Sequence, residues 1–184
     1  MNIKNIILIL IAGFAITSCQ DEYEAGTVPG HEVAGEWYVV TYIGGTPVVG
    51  HELISTYNTA AADGKEMWLD DLGHIWPVKA KIGMSPENNS FSGTGDNIEA
   101  PIYSYDTLDI IRDETIDPID SIQENFEGYE TVTVTEGKVI QDAGRSKTGV
   151  ITDSVYFKGE FSDDPGSVYE FAGHRRTGFG EDDY

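Results

Sequence analysis

From Gly35 onward the apolar residues of this chain recur at every second position, in short runs cut by Gly, Pro, Asp and Asn, and long helical periodicity is missing. A period of two is the pattern of an extended strand with one face in and one face out. The first run, Gly35-Glu36-Trp37-Tyr38-Val39-Val40-Thr41-Tyr42-Ile43, is aromatic and β-branched, opens on a Gly and leads into Gly44-Gly45 and Pro47, which is the composition of a strand and its turn. Alternation places Trp37, Val39, Thr41 and Ile43 on one face, and Tyr38, Val40 and Tyr42 on the other. Both faces are partly apolar, so this strand is covered on both sides or belongs to a closed barrel.

The rest of the chain continues in the same rhythm. Glu52 to Thr59 reads as a second strand and Lys65 to Leu69 as a third, turned by Asp70-Asp71-Leu72-Gly73. Ile75 to Met84 alternates, with Trp76, Val78, Ala80, Ile82 and Met84 on its apolar face, and Pro77 marks an edge or a bulge. Asn88 to Gly93 is a weaker strand. Thr131 to Thr135 and Lys138 to Ile140 read as a hairpin about Glu136-Gly137, followed by a polar loop from Asp142 to Gly149. Ile151 to Phe161 places Ile151, Val155, Phe157 and Phe161 inward. After the turn Ser162-Asp163-Asp164-Pro165-Gly166, the partner strand Val168 to Arg175 puts Tyr169, Phe171, Gly173 and Arg175 on one face. About eight short antiparallel strands, mostly meander-connected, define an all-β chain, either an up-and-down barrel or a strongly curved sandwich. One segment breaks the rhythm. Asp96 to Gly128 carries ten acidic residues and one basic one, Arg112, and reads as a large loop or an irregular strand pair that partly covers one barrel mouth, or equally as a surface excursion with no role.

The N-terminus carries an address. Lys4 precedes an almost wholly apolar run from Ile6 to Ile16, which ends in Ile16-Thr17-Ser18-Cys19. This describes a secretory signal peptide, too short for a comfortable membrane span. The tetrad resembles a bacterial lipobox, and Cys19 is the only Cys in the chain, so lipidation at Cys19 explains it better than a disulfide does. The expected organisation is a signal peptide over 1–18, a lipidated acidic tether over 19–30, and one β-barrel domain over 31–184. The acidic residues Asp21, Glu22 and Glu24 just behind Cys19 resemble the surface-export signal of Bacteroidetes lipoproteins. The expected location is therefore the outer membrane, facing the cell exterior.

Charge narrows the partners. With 32 acidic and 11 basic residues the formal net charge is −21, which excludes nucleic acid and an anionic membrane as partners of the domain's own surface. Membrane attachment is expected through the lipid on Cys19.

Three runs carry a family resemblance: Met67 to Trp76, Tyr156 to Gly166, and Gly173 to Phe179. Together they resemble a Bacteroidetes lipoprotein family labelled "lipid-binding putative hydrolase" and described as calycin or lipocalin-like. Gly35-x-Trp37 resembles the opening signature of lipocalins. The resemblance implies an eight-stranded antiparallel lipocalin-like (calycin) barrel. It also implies that an Arg near the end of the last strand packs over the Trp of the first. Gly35, Trp37 and Arg175, with Arg176 as the alternative if the last strand bulges, are the expected closure. A Thr-Asp-Tyr motif of true lipocalins has no counterpart beyond Thr152-Asp153 with the more distant Tyr156.

Such a barrel is wide enough for one small ligand. Trp76, Val78, Phe157, Tyr169 and Phe171 are the expected lining, for a lipid or another small hydrophobic ligand, although the same residues could equally fill the interior as core. No catalytic motif supports the word hydrolase: there is no Gly-x-Ser-x-Gly and no His-Glu-x-x-His. A site assembled from distant strands stays open as an alternative, as does a non-enzymatic glycan- or protein-binding accessory of an outer-membrane uptake system. The Asp pairs at 70–71, 163–164 and 182–183 read as turn residues or solvated charges, against a loop-built Ca²⁺ site. His74 beside Asp70 and Asp71 reads as a polar turn residue, against an acid–base pair. No metal and no cofactor is expected.

Overall fold

A computed structural model describes residues 27–110 and 119–184; over 106–110 and 119–123 it describes the backbone alone. Eight strands follow in chain order: β1 (Gly35–Ile43), β2 (Thr46–Asn58), β3 (Glu66–Asp70), β4 (Lys79–Ser85), β5 (Ser90–Ile110), β6 (Ile119–Arg145), β7 (Ile151–Phe161) and β8 (Tyr169–Arg175). Each pairs antiparallel with the next, and β8 pairs back onto β1, so the sheet closes into an up-and-down barrel. The barrel, not the sandwich, is the outcome. Among the described residues, closure leaves no edge strand in the ring itself.

The inward rows are those of the alternation. Trp37, Val39 and Thr41 of β1 and Val155, Phe157 and Phe161 of β7 are buried. So are Tyr169 and Phe171 of β8. The β1–β2 turn is the tight one that Gly44-Gly45 predicts, with φ of 54° and 79° between paired Ile43 and Thr46. Positive φ at both central residues matches the twist of the flanking strands, and Gly adopts it without strain.

Five sequence expectations change. The second strand starts at Thr46 rather than Glu52, because the tight glycine turn lets pairing begin at once. The strand expected from Ile75 begins only at Lys79. Asp71 gathers the N–H groups of Gly73, Ile75, Trp76 and Val78 onto its two carboxylate oxygens at 2.6–3.1 Å, and this local side chain–backbone bonding outcompetes the sheet ladder. Glu136-Gly137 is not a hairpin turn. It is a bulge inside the 27-residue β6, with Glu136 at φ 56°, and β6 stays paired to β7 on both sides of it. The polar loop expected from Asp142 is likewise strand as far as Arg145. Ile151, expected inward, lies at the strand end and is 57% exposed.

In its described residues the acidic 96–128 segment is the irregular strand pair, with register shifts between Asp96 and Pro101 and between Ile102 and Tyr103. Beyond Asp96 and Thr131, β5 and β6 leave their other neighbours and continue as a two-stranded ribbon, paired as far as Ile110 and Ile119. On one face of it the rings of Tyr103, Phe126 and Tyr129 meet edge to face, with centroids 5.9 and 5.0 Å apart. All three rings are exposed.

Candidate functional site

The two ends of the barrel differ. At one end the first strand begins and the last one finishes. Here Trp37 is fully buried, and its indole N–H donates to Thr56 Oγ1 at 2.8 Å, which in turn donates to the Val33 carbonyl. The guanidinium of Arg175 lies 4.3 Å from the Trp37 ring centre. Its N–H groups donate to the carbonyls of Ala34 and Glu32 and to Asp153 Oδ2, at 2.7–3.0 Å. The strand parity that favours Arg175 is the parity observed, since Trp37 and Arg175 are register partners. Arg176 points elsewhere, to Glu36 and Asp183. Gly35 has a steric reason: a Cβ there would run into the Arg175 guanidinium. Gly35, Trp37 and Arg175 thus form one plug, and the segment before β1 is tied under it.

The C-terminal residues wrap this same end. Burial works to raise the Asp182 carboxyl, yet hydrogen bonds from Thr148 and Thr177 hold it well below the usual carboxylate range. Tyr184 stacks on His51 at 3.9 Å. His174 rests against Tyr184 too, with its Nε2 3.4 Å from the phenol oxygen.

Above the plug the interior is solid through Val39, Met67, Ile82, Phe91, Val134 and Val155, all buried. Above that layer it is empty. The mouth half of the barrel holds a cavity of about 260 Å³. All five candidates, Trp76, Val78, Phe157, Tyr169 and Phe171, line it. The question of pocket or filled core therefore has a divided answer, with a packed lower half and a hollow upper half.

The aromatic residues set the shape. Phe157 and Phe171 stack at 4.5 Å. Gly159 leaves the wall bare between Phe157 and Phe161. Trp76 sits at the rim, 36% exposed, stacked on Phe161 at 5.8 Å and tilted over Tyr169 at 5.9 Å. It stands on the loop that Asp71 organises, not on a strand. The phenol of Tyr169 donates to Asp164 Oδ2 at 2.6 Å, which fixes that ring at the mouth.

Several lining residues escaped the sequence reading. Val48 and Val49 fell before the expected start of β2. Thr41, Ile43 and Phe161 were on the correct inward rows but carried no chemical signal. Asp71 had been read as a turn residue, and it is one, but it also contributes to the cavity wall.

Among the described residues, no His, Ser, Cys or Lys lines the cavity. Asp71 spends both oxygens on backbone N–H groups. His74 does not face the Asp pair: its Nδ1 is 2.8 Å from the Leu53 carbonyl. Asp70 is held by Lys79 at 2.9 Å and by the Tyr57 hydroxyl. Burial alone would raise its carboxyl, but those partners hold it below the usual range. Among the described residues no group of three or more His, Cys, Asp or Glu could hold a metal ion.

A closed antiparallel barrel, plugged at one end and hollow and apolar at the other, belongs to the class of proteins that enclose a small apolar molecule. The family whose model matches residues 22–180 is described as "lipid-binding putative hydrolase", and the chain belongs to it. No curated protein matches the chain.

Proposed function

We propose that this protein holds a lipid or another small hydrophobic molecule in the mouth-half cavity. The observation that carries the reading is an empty, almost wholly apolar space in an otherwise close-packed barrel. Protein interiors normally fill such space, because every void forfeits packing. The volume is slightly below the roughly 300–1,000 Å³ of drug-sized pockets. It suits one acyl chain or a compact ring system better than a two-chain lipid.

Val78 gives the test. It is 5% exposed and forms part of the wall. An apolar fluorescent probe should bind the native barrel and be displaced by single-chain lipids. Val78→Trp should fill the space and abolish probe binding while the protein stays folded by circular dichroism. A native barrel that takes up no probe, or a Val78→Trp protein that binds it equally well, would end this reading.

The setting we propose is an outer-membrane lipoprotein anchored through Cys19 and exposed on the cell surface. Cys19, the signal sequence and most of the tether lie outside the described residues. The support is the Ile16-Thr17-Ser18-Cys19 tetrad together with the path of the chain. Residues 30–34 join the barrel at its plugged end, under Arg175, so an anchor there would leave the hollow mouth facing away from the bilayer. The β5–β6 ribbon projects at that mouth end, and its exposed aromatic face would meet an uptake partner. Mass spectrometry of the native protein should show an acylated Cys19, and the anchored protein crosslinked from Tyr103 should carry such a partner. An unmodified Cys19 rules out the anchor.

A further inference from the structure

The cavity wall is not uniformly apolar, and two of its polar side chains, Asp71 and Thr41, behave in opposite ways. Asp71 is saturated, its two oxygens accepting four backbone N–H groups. Thr41 is the reverse. It is 2% exposed, it lines the cavity, and its hydroxyl oxygen has no hydrogen-bond partner among the described residues. A buried hydroxyl normally finds a partner, since leaving it unpaired costs its full desolvation. Its nearest neighbours in the sheet carry no polar side chain. On the inward row it stands between Val39 and Ile43, and its register partners are Phe171 and Val49. Rotation about Cα–Cβ exchanges the hydroxyl and the methyl of a Thr, so the oxygen can be turned to whatever occupies the cavity.

The electrostatics of the wall restrict what that occupant can be. Among the described residues no Lys, Arg or His lines the cavity. Lys79, close by at the start of β4, is engaged by Asp70. Among the described residues Asp71 is the one carboxylate in the wall, and Asp164 stands at the rim on the Tyr169 hydroxyl. A ligand carboxylate would enter an apolar space without a counter-ion and beside a like charge, which is strongly unfavourable. An uncharged hydroxyl, amide or ester group meets no such barrier, and Thr41 can both donate to it and accept from it.

We infer that the cavity selects a neutral, single-tailed or compact apolar molecule with one hydrogen-bonding group, which pairs with the Thr41 hydroxyl, and that it rejects carboxylate-headed lipids. This rests on the ligand-binding reading above and names the class of ligand.

The test is displacement of the apolar probe by decanol and by decanoate, at a pH well above the carboxyl range, so that the acid is ionised. Decanol should bind more than about tenfold tighter than decanoate. In Thr41→Val decanol affinity, taken relative to probe affinity in the same variant, should fall about three- to tenfold, the worth of one neutral hydrogen bond. The empty Thr41→Val protein should also melt no lower than the native one, because the change removes an unpaired hydroxyl. Thr41→Ser, which keeps the hydroxyl, should keep the preference. Decanoate binding as tightly as decanol overturns the inference, as does Thr41→Val binding decanol normally. In both cases probe binding persists and the ligand-binding reading survives. A native protein that binds no probe defeats both.

Discussion

Replacing Trp37 by Ala will leave the barrel close to unfolded. The indole is fully buried at the plugged end, and deleting a buried aromatic of this size costs about 3–5 kcal/mol through lost transfer and the cavity left behind. Two further losses follow from the geometry. Thr56 Oγ1 loses the indole donor, and the Arg175 guanidinium loses the ring it covers. Against a typical total of about 5–15 kcal/mol, little folded protein should survive at physiological temperature. Arg175→Ala should be milder. The stacked contact, partly removed from water, contributes about 1–2 kcal/mol. The guanidinium also satisfies the Ala34 and Glu32 carbonyls. Urea melts of the two single variants and the double variant should show clear non-additivity, because each removes half of one contact. Trp37 with Arg176 should be close to additive, since Arg176 serves Glu36 and Asp183 instead. Additive losses for Trp37 and Arg175 would show that the plug is not held by this pair. Trp37→Phe, folded but without the indole N–H, supplies a measurable background if the Ala variant cannot be purified.

Gly173→Ala should be the second severe change, and it acts on the seam rather than the plug. Gly173 lies on β8 opposite Val39 of β1 and Val155 of β7. A Cβ there would collide with the Tyr38 carbonyl oxygen and would come 2.7 Å from the Val39 Cα. Both are backbone atoms, so no rotamer change relieves the overlap; the two strands must part. Overpacking of this kind costs about 1–3 kcal/mol, and more where the backbone itself must shift. Gly50 on β2 is the control. An added Cβ meets nothing within 4 Å there, and Gly50→Ala should be neutral or slightly stabilising. Equal melting temperatures for the two variants would contradict the close seam.

The strand periods carried much of this architecture in plain view, and the places where they misled share a cause. Arg175 was preferred over Arg176 because Tyr169, Phe171, Gly173 and Arg175 alternate, and that parity holds into the plug. The same rule holds on β7, where Val155 and Phe157 are core and Tyr156 and Lys158 are only partly buried. By contrast, Ile75 to Met84 alternates just as well, yet its first part is a loop. Alternation records which side chains prefer apolar surroundings; it is silent about a carboxylate such as Asp71 that captures backbone N–H groups nearby. Glu136-Gly137 illustrates a second blindness. A two-residue turn and a bulge need the same left-handed residue, and only the strands on either side decide between them. The cavity is a third. Whether Phe157 and Phe171 touch a ligand or only each other depends on volumes summed over all the strands and on a bare wall at Gly159. Neither can be read from one strand.

The seam between β1 and β8 also governs how the molecule comes into being. Every other seam joins neighbours in sequence and can zip up as a hairpin, whereas at this one Arg175 bonds the Glu32 carbonyl, 143 residues away. Closing so long a loop carries the largest chain-entropy cost in the fold, and contacts of this range slow folding. Until residue 175 is in place the sheet is an open, curled ribbon with two adhesive edges. The cavity does not exist in that ribbon, since Thr41 and Ile43 come from one edge and Tyr169 and Phe171 from the other. A molecule bound between them therefore spans the join. By mass action it would favour the closed ring over the open one, and so act as a clasp on it.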